Sequence, residues 1–335
     1  MEDNMRLLVV GLGSMGKRRI RNLQALGYTQ IAGFDLRVDR VNEAEKKYGI
    51  KKFSSYDDAI DTFSPHAVLI STSPKFHMDY AIPCEKKRIP CFIEASVTDR
   101  NRISELDRRI SKSGVIMAPS CTMRFYPGPI KVKELITKGV LGEVLNLNYQ
   151  TGQYLPDWHP WEDISEYYVS DTETGAAREI VPFELTWLND IFGTPETLAC
   201  VKAKLSKIDA PIDDIYHCLL RYPKNILANL TVEVISRPIA TRELRILGSR
   251  GELVMSSDEN CVRYATTDSP EWIRHSLDSG TIETGYINPE EPYIKEIESF
   301  IEAVNSDDQS KFPNTLEGDC RILEILEELE AKSNL

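Results

Sequence analysis

A short apolar run that leads into closely spaced glycines constrains the fold of this chain more than any other feature. Residues 6–10 read RLLVV, the pattern GxGxxG follows at residues 11–16, and a helical pattern begins within it. Asp35 ends the next apolar run, 19 residues after Gly16. A strand, a glycine turn, a helix and a later acidic residue in this order are typical of a dinucleotide-binding unit.

Each glycine has a physical reason in such a unit. Gly11 permits the tight turn, Gly13 lets the backbone approach a pyrophosphate, and Gly16 lets the helix pack close to the strand. The N–H groups at the start of the helix then favour the phosphates. A glycine turn in an α/β protein without a nucleotide is the alternative. The predicted cofactor contacts of this loop are Gly11, Leu12, Gly13, Ser14, Met15 and Gly16.

Two further residues bear on which dinucleotide binds. The Asp35 carboxylate would accept hydrogen bonds from the adenosine ribose and repel a 2′-phosphate, which favours NAD over NADP. Arg37 would instead stack on adenine or meet a 2′-phosphate. We therefore expect an NAD cofactor and leave NADP open.

The first 120 residues alternate short apolar runs with amphipathic stretches. Buried strands separated by helices predict a doubly wound parallel sheet, a Rossmann domain. The predicted strands are 6–10, 31–35, 67–71, 90–94 and 115–118, and the predicted helices are 15–26, 38–48, 56–62, 78–87 and 102–111.

The pattern changes after about residue 122, where extended runs alternate with turn residues. These runs predict a second α/β domain with an open, mainly antiparallel sheet. We expect a dinucleotide-binding domain over 1–121 and a substrate-binding and oligomerisation domain over 122–335, whose last helix is a candidate to pack back on the first domain. The predicted strands are 143–151, 197–205, 215–222, 226–235, 243–247 and 252–255, and the predicted helices are 130–138, 173–192, 292–305 and 316–332.

Composition excludes several classes of protein. The net charge is −12, from 40 Lys and Arg against 52 Asp and Glu, which gives no electrostatic reason to bind nucleic acid or an anionic membrane. No apolar run has the length of about 18 residues that a transmembrane helix needs, and the acidic opening does not resemble a secretory signal. The seven cysteines lack CxxC spacing, so we expect no metal site, reduced thiols and a cytoplasmic protein.

Several segments, in order, resemble the Gfo/Idh/MocA family of NAD(P)-dependent, mostly carbohydrate-active oxidoreductases. They are VVGLGSMGKRRIRNL at the start, VLISTSPKFH at 68–77, FIEAS at 92–96, MRFYPG at 123–128 and LRILGSRGEL at 244–253. The resemblance covers nearly the whole chain and implies a homodimer or homotetramer through the C-terminal sheet. It also implies that the cofactor lies along Thr72, Ser73, Pro74, His77, Glu94 and Ala95.

The chain departs from that family where the catalytic residues are usually found. The resemblance places the usual lysine at Ala95, and the usual helix histidine near 182–184, where PFE stands. Glu184 is a candidate base if burial raises its pKa, and an ordinary helix carboxylate is the alternative. Arg124, Arg178 and Glu179 are candidate substrate ligands, although the last two fit a structural ion pair equally well.

The stretch from 154 to 168 concentrates aromatic, acidic and imidazole groups. Aromatic rings stack on the C–H surfaces of sugars, while polar groups bind hydroxyls. Tyr154 and His159 are candidate proton carriers, and the imidazole titrates near neutral pH. Trp158 and Trp161 are candidate substrate contacts. A packed interface loop is the alternative.

Three functions remain open from the sequence. The first is hydride transfer between a nicotinamide and a carbohydrate or sugar-nucleotide carbon, as a dehydrogenase or reductase. The second keeps NAD bound as a recycled oxidant in an epimerase, isomerase or lyase. The third is a catalytically degenerate dinucleotide-binding sensor or scaffold. The polar and aromatic stretch counts against the third, and the sequence does not separate the first from the second.

Overall fold

The computed structural model describes residues 5–160 and 162–333, and these form two compact units. The first unit consists of Met1–Thr122 and Glu290–Arg321, and the second of Met123–Pro289 and Ile322–Leu335. Within the described part of the chain, no helix is long and apolar enough to cross a membrane.

The first unit is built on a six-stranded sheet in the order β3-β2-β1-β4-β5-β6. Its recorded pairings are all parallel, and its central strands β1 (Leu7–Val10) and β4 (Ala67–Ile70) are buried along their whole length. Apolar strands buried on both faces are typical of a doubly wound sheet. The remaining strands are β2 (Ile31–Phe34), β3 (Lys51–Phe53), β5 (Cys91–Ile93) and β6 (Met117–Pro119).

The second unit is built on an eight-stranded sheet in the order β14-β13-β12-β11-β7-β10-β9-β8. Strands β7 (Val144–Gly152) and β10 (Ile226–Glu233) pair in parallel, and the other recorded pairings are antiparallel. In β9 (Ile215–Tyr222) buried and exposed residues alternate, so one face of the sheet meets the core and the other meets solvent. The remaining strands are β8 (Glu196–Ala203), β11 (Thr241–Gly248), β12 (Gly251–Ser256), β13 (Cys261–Thr266) and β14 (Ile273–Ser276).

The helices include both long elements and single turns. The α-helices are α1 (Ser14–Ala25), α2 (Val38–Tyr48), α3 (Tyr56–Asp58), α4 (His77–Lys86), α5 (Arg100–Ser113), α6 (Pro127–Thr137), α7 (Ala176–Phe192), α8 (Glu291–Ser306) and α9 (Leu316–Lys332). A π-helical turn spans Ala59–Phe63, and 3₁₀ turns include Pro74–Phe76, Leu155–Asp157, Ile164–Glu166 and Tyr168–Ser170.

The predicted fold class, a doubly wound parallel sheet followed by a mainly antiparallel one, is confirmed. Strands β3, β13 and β14 were not predicted from the sequence. Strand β3 has three residues, two of them exposed, and β14 is a short, mostly exposed strand at the sheet edge, so neither has a clear apolar pattern.

The segment Glu290–Arg321 groups with the first unit, whereas the sequence assigned it to the second domain. The reason is a fully buried carboxylate on α8. Glu296 accepts hydrogen bonds from Ser120 Oγ at 2.9 Å, from the Cys121 amide at 2.7 Å and from Thr122 Oγ1 at 2.7 Å. It also pairs with the buried Arg19 of α1 at 3.0 Å. A buried charge with these partners binds α8 to the first sheet.

Candidate dinucleotide and substrate sites

The glycine loop of the first unit lies at the carboxyl end of β1, where the strand order changes direction between β1 and β4. Ligands of doubly wound sheets bind at such a switch point. Gly11 has φ +87°, and a Cβ added to it would lie 2.6 Å from the Ser71 carbonyl. A Cβ on Gly16 would lie 1.8 Å from the Gly11 carbonyl oxygen. Neither position has room for a larger residue.

Gly13 differs from these two glycines because it faces a flexible side chain and no backbone atom. Its φ is −70°, and an added Cβ would meet the Arg40 side chain, with Nη1 at 3.3 Å. Gly13 is also the N-cap of α1, and no side chain caps the helix there. The loop therefore fits a pyrophosphate, which would approach Gly13 and accept hydrogen bonds at the start of α1.

Asp35 follows β2 and is held beside the loop. The Leu12 amide donates to Asp35 Oδ2 at 2.7 Å, and the Arg37 amide donates to Oδ1 at 2.8 Å. Each carboxylate oxygen keeps further acceptor capacity, which ribose hydroxyls can use. The Arg37 guanidinium pairs with Asp39 at 2.7 Å, so a 2′-phosphate would have to compete with that carboxylate. This geometry favours NAD.

The predicted segment from Thr72 to His77 adjoins the glycine loop, since Ser71 and the Thr72 amide are the atoms closest to the Cβ position of Gly11. His77 Nε2 donates to the Thr72 carbonyl at 3.0 Å. Burial lowers the pKa of His77, so its imidazole is neutral. The 3₁₀ turn Pro74–Phe76, with Ser73 as its N-cap, lies between Thr72 and His77. The hydrogen bond from His77 to the Thr72 carbonyl holds the two ends of this turn together.

Glu94 and Ala95 follow β5. The Glu94 carboxylate receives two hydrogen bonds from Arg19, at 2.6 and 2.9 Å, and one from Ser71 Oγ at 3.2 Å. These contacts favour a structural role for Glu94 in the first unit, and its role as a cofactor contact remains a prediction. The Ala95 side chain is a methyl group, so it can move no proton.

In the second unit, Glu184 of α7 is fully buried. Its carboxylate accepts hydrogen bonds from Tyr149 Oη at 2.7 Å, from Trp187 Nε1 at 2.8 Å and from Arg242 Nη2 at 2.9 Å. Thr151 Oγ1 donates to Glu184 Oε1 at 3.4 Å. These contacts favour a structural role, in which Glu184 ties α7 to β7 and β11.

Arg178 and Arg124 are also engaged with the protein itself. Arg178 donates to both carboxylate oxygens of Glu330 on α9, at 2.7 and 3.1 Å. Arg124 donates to the Thr186 carbonyl of α7 at 3.0 Å. Their predicted roles as substrate ligands remain predictions.

The structure groups His159 with Glu162, Tyr167 and Tyr168, which the sequence did not single out as site residues, and with Glu179, a predicted substrate ligand. The His159 ring stacks on Tyr167, with centroids 4.8 Å apart and planes 27° apart. His159 Nδ1 lies 3.3 Å from Glu162 Oε2. Tyr168 Oη donates to Glu179 Oε1 of α7 at 3.0 Å. We call these five residues the His159 cluster. The sequence signal for its four members between 159 and 168 was the local density of aromatic and acidic residues.

The remaining predicted contacts lie near the cluster in sequence. The Arg237 guanidinium stacks over the Tyr154 ring, 3.4 Å from its centroid. Trp158 Nε1 is buried and has no hydrogen-bond partner among the described residues. Trp161 lies outside the described residues.

Comparison with known proteins identifies both halves of the chain. Residues 5–119 match the model described as an oxidoreductase family with an NAD-binding Rossmann fold, and residues 130–254 match the GFO/IDH/MocA C-terminal domain. An inositol 2-dehydrogenase from Leifsonia xyli is 27% identical over 150 residues, which are 43% of this chain and 44% of that protein. The match thus covers less than half of that relative.

Solved structures share the fold over almost the whole chain. An oxidoreductase from Agrobacterium radiobacter, in complex with NAD⁺, L-tartaric acid and magnesium, has a TM-score of 0.85 at 12% identity and covers 100% of this chain and 97% of its own. A levoglucosan dehydrogenase in complex with NADH and levoglucosan has a TM-score of 0.85 at 14% identity and covers 98% of this chain and 97% of its own. At these identities the likeness shows the fold.

Proposed function

Because this chain belongs to the Gfo/Idh/MocA oxidoreductase family, we propose that it is an NAD-dependent dehydrogenase or reductase of a carbohydrate or a related polyhydroxylated compound. One observation carries the cofactor part of the proposal. The loop at the switch point has two glycines that admit no Cβ, while Gly13 between them faces only the flexible Arg40 side chain. NAD supplies hydride transfer at its nicotinamide, so the protein has to hold the substrate and move one proton.

The residues of the first unit would hold the cofactor. The loop from Gly11 to Gly16 would bind the pyrophosphate, and Asp35 would bind the adenosine ribose. His77 would act indirectly, by fixing the turn at Thr72 beside the loop.

We propose that His159 is the group that takes the hydroxyl proton of the substrate. Ala95 has no titratable group, and the Glu184 carboxylate is buried among protein donors. A general base must reach the hydroxyl that it deprotonates, and a substrate would have no access to a carboxylate buried in this way. His159 is half-buried beside aromatic and acidic side chains, which suit a sugar or cyclitol. Tyr154, stacked under Arg237, is the second candidate.

The similar proteins guide the choice of substrate class. An inositol dehydrogenase and a levoglucosan dehydrogenase both act on compounds with several ring hydroxyls, which is the class that the His159 cluster fits. The test is a panel of cyclitols, anhydrosugars, aldoses and sugar nucleotides with NAD⁺ and NADP⁺, followed by absorbance at 340 nm.

We expect NADH to accumulate with at least one ring polyol, and His159→Ala to slow turnover by about 100-fold or more while leaving NADH affinity unchanged. Product without NADH in solution would instead indicate a recycled cofactor. NADH binding without turnover of any compound would favour a dinucleotide-binding sensor.

We also propose that the open face of the second sheet joins two or four copies of the chain. Leu219 of β9, Leu227 of β10 and Val201 of β8 are exposed on this face, each in register with neighbours on the adjoining strands. A second copy would remove these apolar side chains from water. Leu219→Glu should lower the mass measured by light scattering from that of an oligomer to that of one chain. A wild-type protein of one-chain mass would contradict the proposal.

A further inference from the structure

His159 has a carboxylate partner in its own segment. Nδ1 of the imidazole lies 3.3 Å from Oε2 of Glu162, and the side chains are 20% and 15% exposed. Because both groups are largely shielded from water, their electrostatic interaction is stronger than that of a surface pair.

Groups from other elements complete the surroundings of the imidazole. The Tyr167 ring stacks on the His159 ring, and Tyr168 of the following 3₁₀ turn donates to Glu179 of α7. Burial and the nearby carboxylates of Glu162 and Glu179 raise the pKa of Tyr167 to about 12. Tyr167 is therefore a neutral phenol at pH 7, and the carboxylate next to the imidazole is that of Glu162.

We propose that Glu162 is a positioning residue for His159, an inference that rests on the function proposed above. The Glu162 carboxylate, which lies 3.3 Å from Nδ1 without a hydrogen bond to it in this structure, attracts the proton to that nitrogen electrostatically. This leaves Nε2 as the nitrogen that exchanges a proton with the substrate. Stacking on Tyr167 fixes the plane of the ring. This chain thereby carries its acid–base group on an irregular segment, paired with a carboxylate.

In the direction of alcohol oxidation, the hydride and the proton that leave the substrate each have an acceptor. Bound NAD⁺ would supply the hydride acceptor. The hydroxyl proton of the substrate alcohol would pass to Nε2 of His159, and the alcohol would become a carbonyl group as its C–H and O–H bonds break. The resulting imidazolium is stabilised by the adjacent carboxylate and returns its proton to water.

The first test needs neither substrate nor turnover. The chain has five histidines, so their imidazole signals can be followed by NMR through a pH titration of the full-length protein, and His159→Ala assigns the signal of interest. Glu162→Gln removes the adjacent negative charge, so the pKa of His159 should fall by about one unit or more. The control is Glu166→Gln, an exposed carboxylate in the same segment, which should leave that pKa unchanged.

The second test uses the reaction itself. A base must be unprotonated to accept the hydroxyl proton, so the rising limb of kcat/KM against pH should move to lower pH in Glu162→Gln. We expect kcat at neutral pH to fall at least about tenfold, with little change in KM, because the imidazole is no longer oriented. Glu162→Asp keeps the charge and should recover most of the rate. Circular dichroism checks that the variants are folded.

The outcomes separate this inference from the proposed function. An unchanged pKa of His159 in Glu162→Gln overturns the pairing. A shifted pKa with an unshifted rate profile overturns the positioning role. A wild-type protein that turns over none of the polyol panel overturns the proposed function, and the positioning role falls with it.

Discussion

The two candidate sites of this protein differ in whether the backbone or the side chains form them. In the first unit the site is made of backbone, because Gly11 and Gly16 leave no space for a Cβ and α1 begins directly at the loop. In the second unit the His159 cluster is made of side chains from α7 and from an irregular segment that contains short 3₁₀ turns. Substitutions in the first site should act through the fold of the loop, and those in the second through individual contacts.

The second unit also depends on partners that are distant in sequence. Glu184 of α7 binds Tyr149 and Arg242, and Arg178 of the same helix binds Glu330, which is 152 residues away. These contacts stabilise the helix that carries Glu179 of the His159 cluster. A side-chain site of this kind therefore needs a supporting shell that the backbone site does not.

The largest effect should follow Gly16→Ala. The added Cβ would lie 1.8 Å from the Gly11 carbonyl oxygen, so α1 would have to move away from β1. We expect a loss of about 3 kcal/mol in the free energy of unfolding of the first unit and no detectable NADH binding. Urea unfolding and NADH fluorescence measure the two effects.

Gly13→Ala is the matched control for that experiment. Its φ of −70° suits alanine, and the new Cβ would meet the flexible Arg40 side chain. The stability should therefore stay close to that of the wild type, while NADH affinity falls because the methyl group occupies the approach of the pyrophosphate. Wild-type NADH affinity in Gly13→Ala would contradict a site made by this loop.

We expect a loss of stability of intermediate size for Glu184→Gln, which removes a charge from the side-chain contacts that support α7 in the second unit. Removing the charge leaves Arg242 without its carboxylate partner, and the partial exposure of that guanidinium limits the cost. We expect the free energy of unfolding to fall by about 2 kcal/mol, with NADH affinity unchanged. The measurement is urea unfolding combined with turnover. A loss of kcat of about 100-fold at wild-type stability would instead make Glu184 the base.

The smallest effect should follow Asp35→Ala. The carboxylate would bind the adenosine ribose, and it also holds the Leu12 amide at 2.7 Å. We expect the affinity for NADH to fall by about tenfold, which corresponds to about 1.4 kcal/mol, and the affinity for NADPH to fall less. Calorimetric titration with each nucleotide measures both. Equal losses for the two nucleotides would show that Asp35 shapes the loop without contacting the ribose.

Local patterns in the sequence predicted most of the fold. The bounds of α2, β9 and α9 agree residue for residue with the predicted 38–48, 215–222 and 316–332, because each has a clear period of buried and exposed positions. The family resemblance is confirmed by matches to both of its domain models. Short edge strands such as β3 and β14 were missed because they have too few apolar residues to form a pattern.

The candidate sites differ in how far the sequence reveals them. The glycine loop can be recognised from spacing alone, because each glycine meets a local steric demand. The donors around Glu184 come from β7, α7 and β11, so no spacing in the sequence identifies that carboxylate as a structural one. His159 and Glu162 are three residues apart in an irregular segment, where no periodic pattern predicts which side chains meet, and the role of the pair remains a prediction.

The most direct test of the central claim is a calorimetric titration of nucleotide-free wild-type protein with NADH and with NADPH. An NAD-dependent oxidoreductase should bind one NADH for each chain, more tightly than NADPH, because Asp35 would accept hydrogen bonds from the ribose hydroxyls and Arg37 is paired with Asp39. Binding of neither nucleotide would contradict the claim.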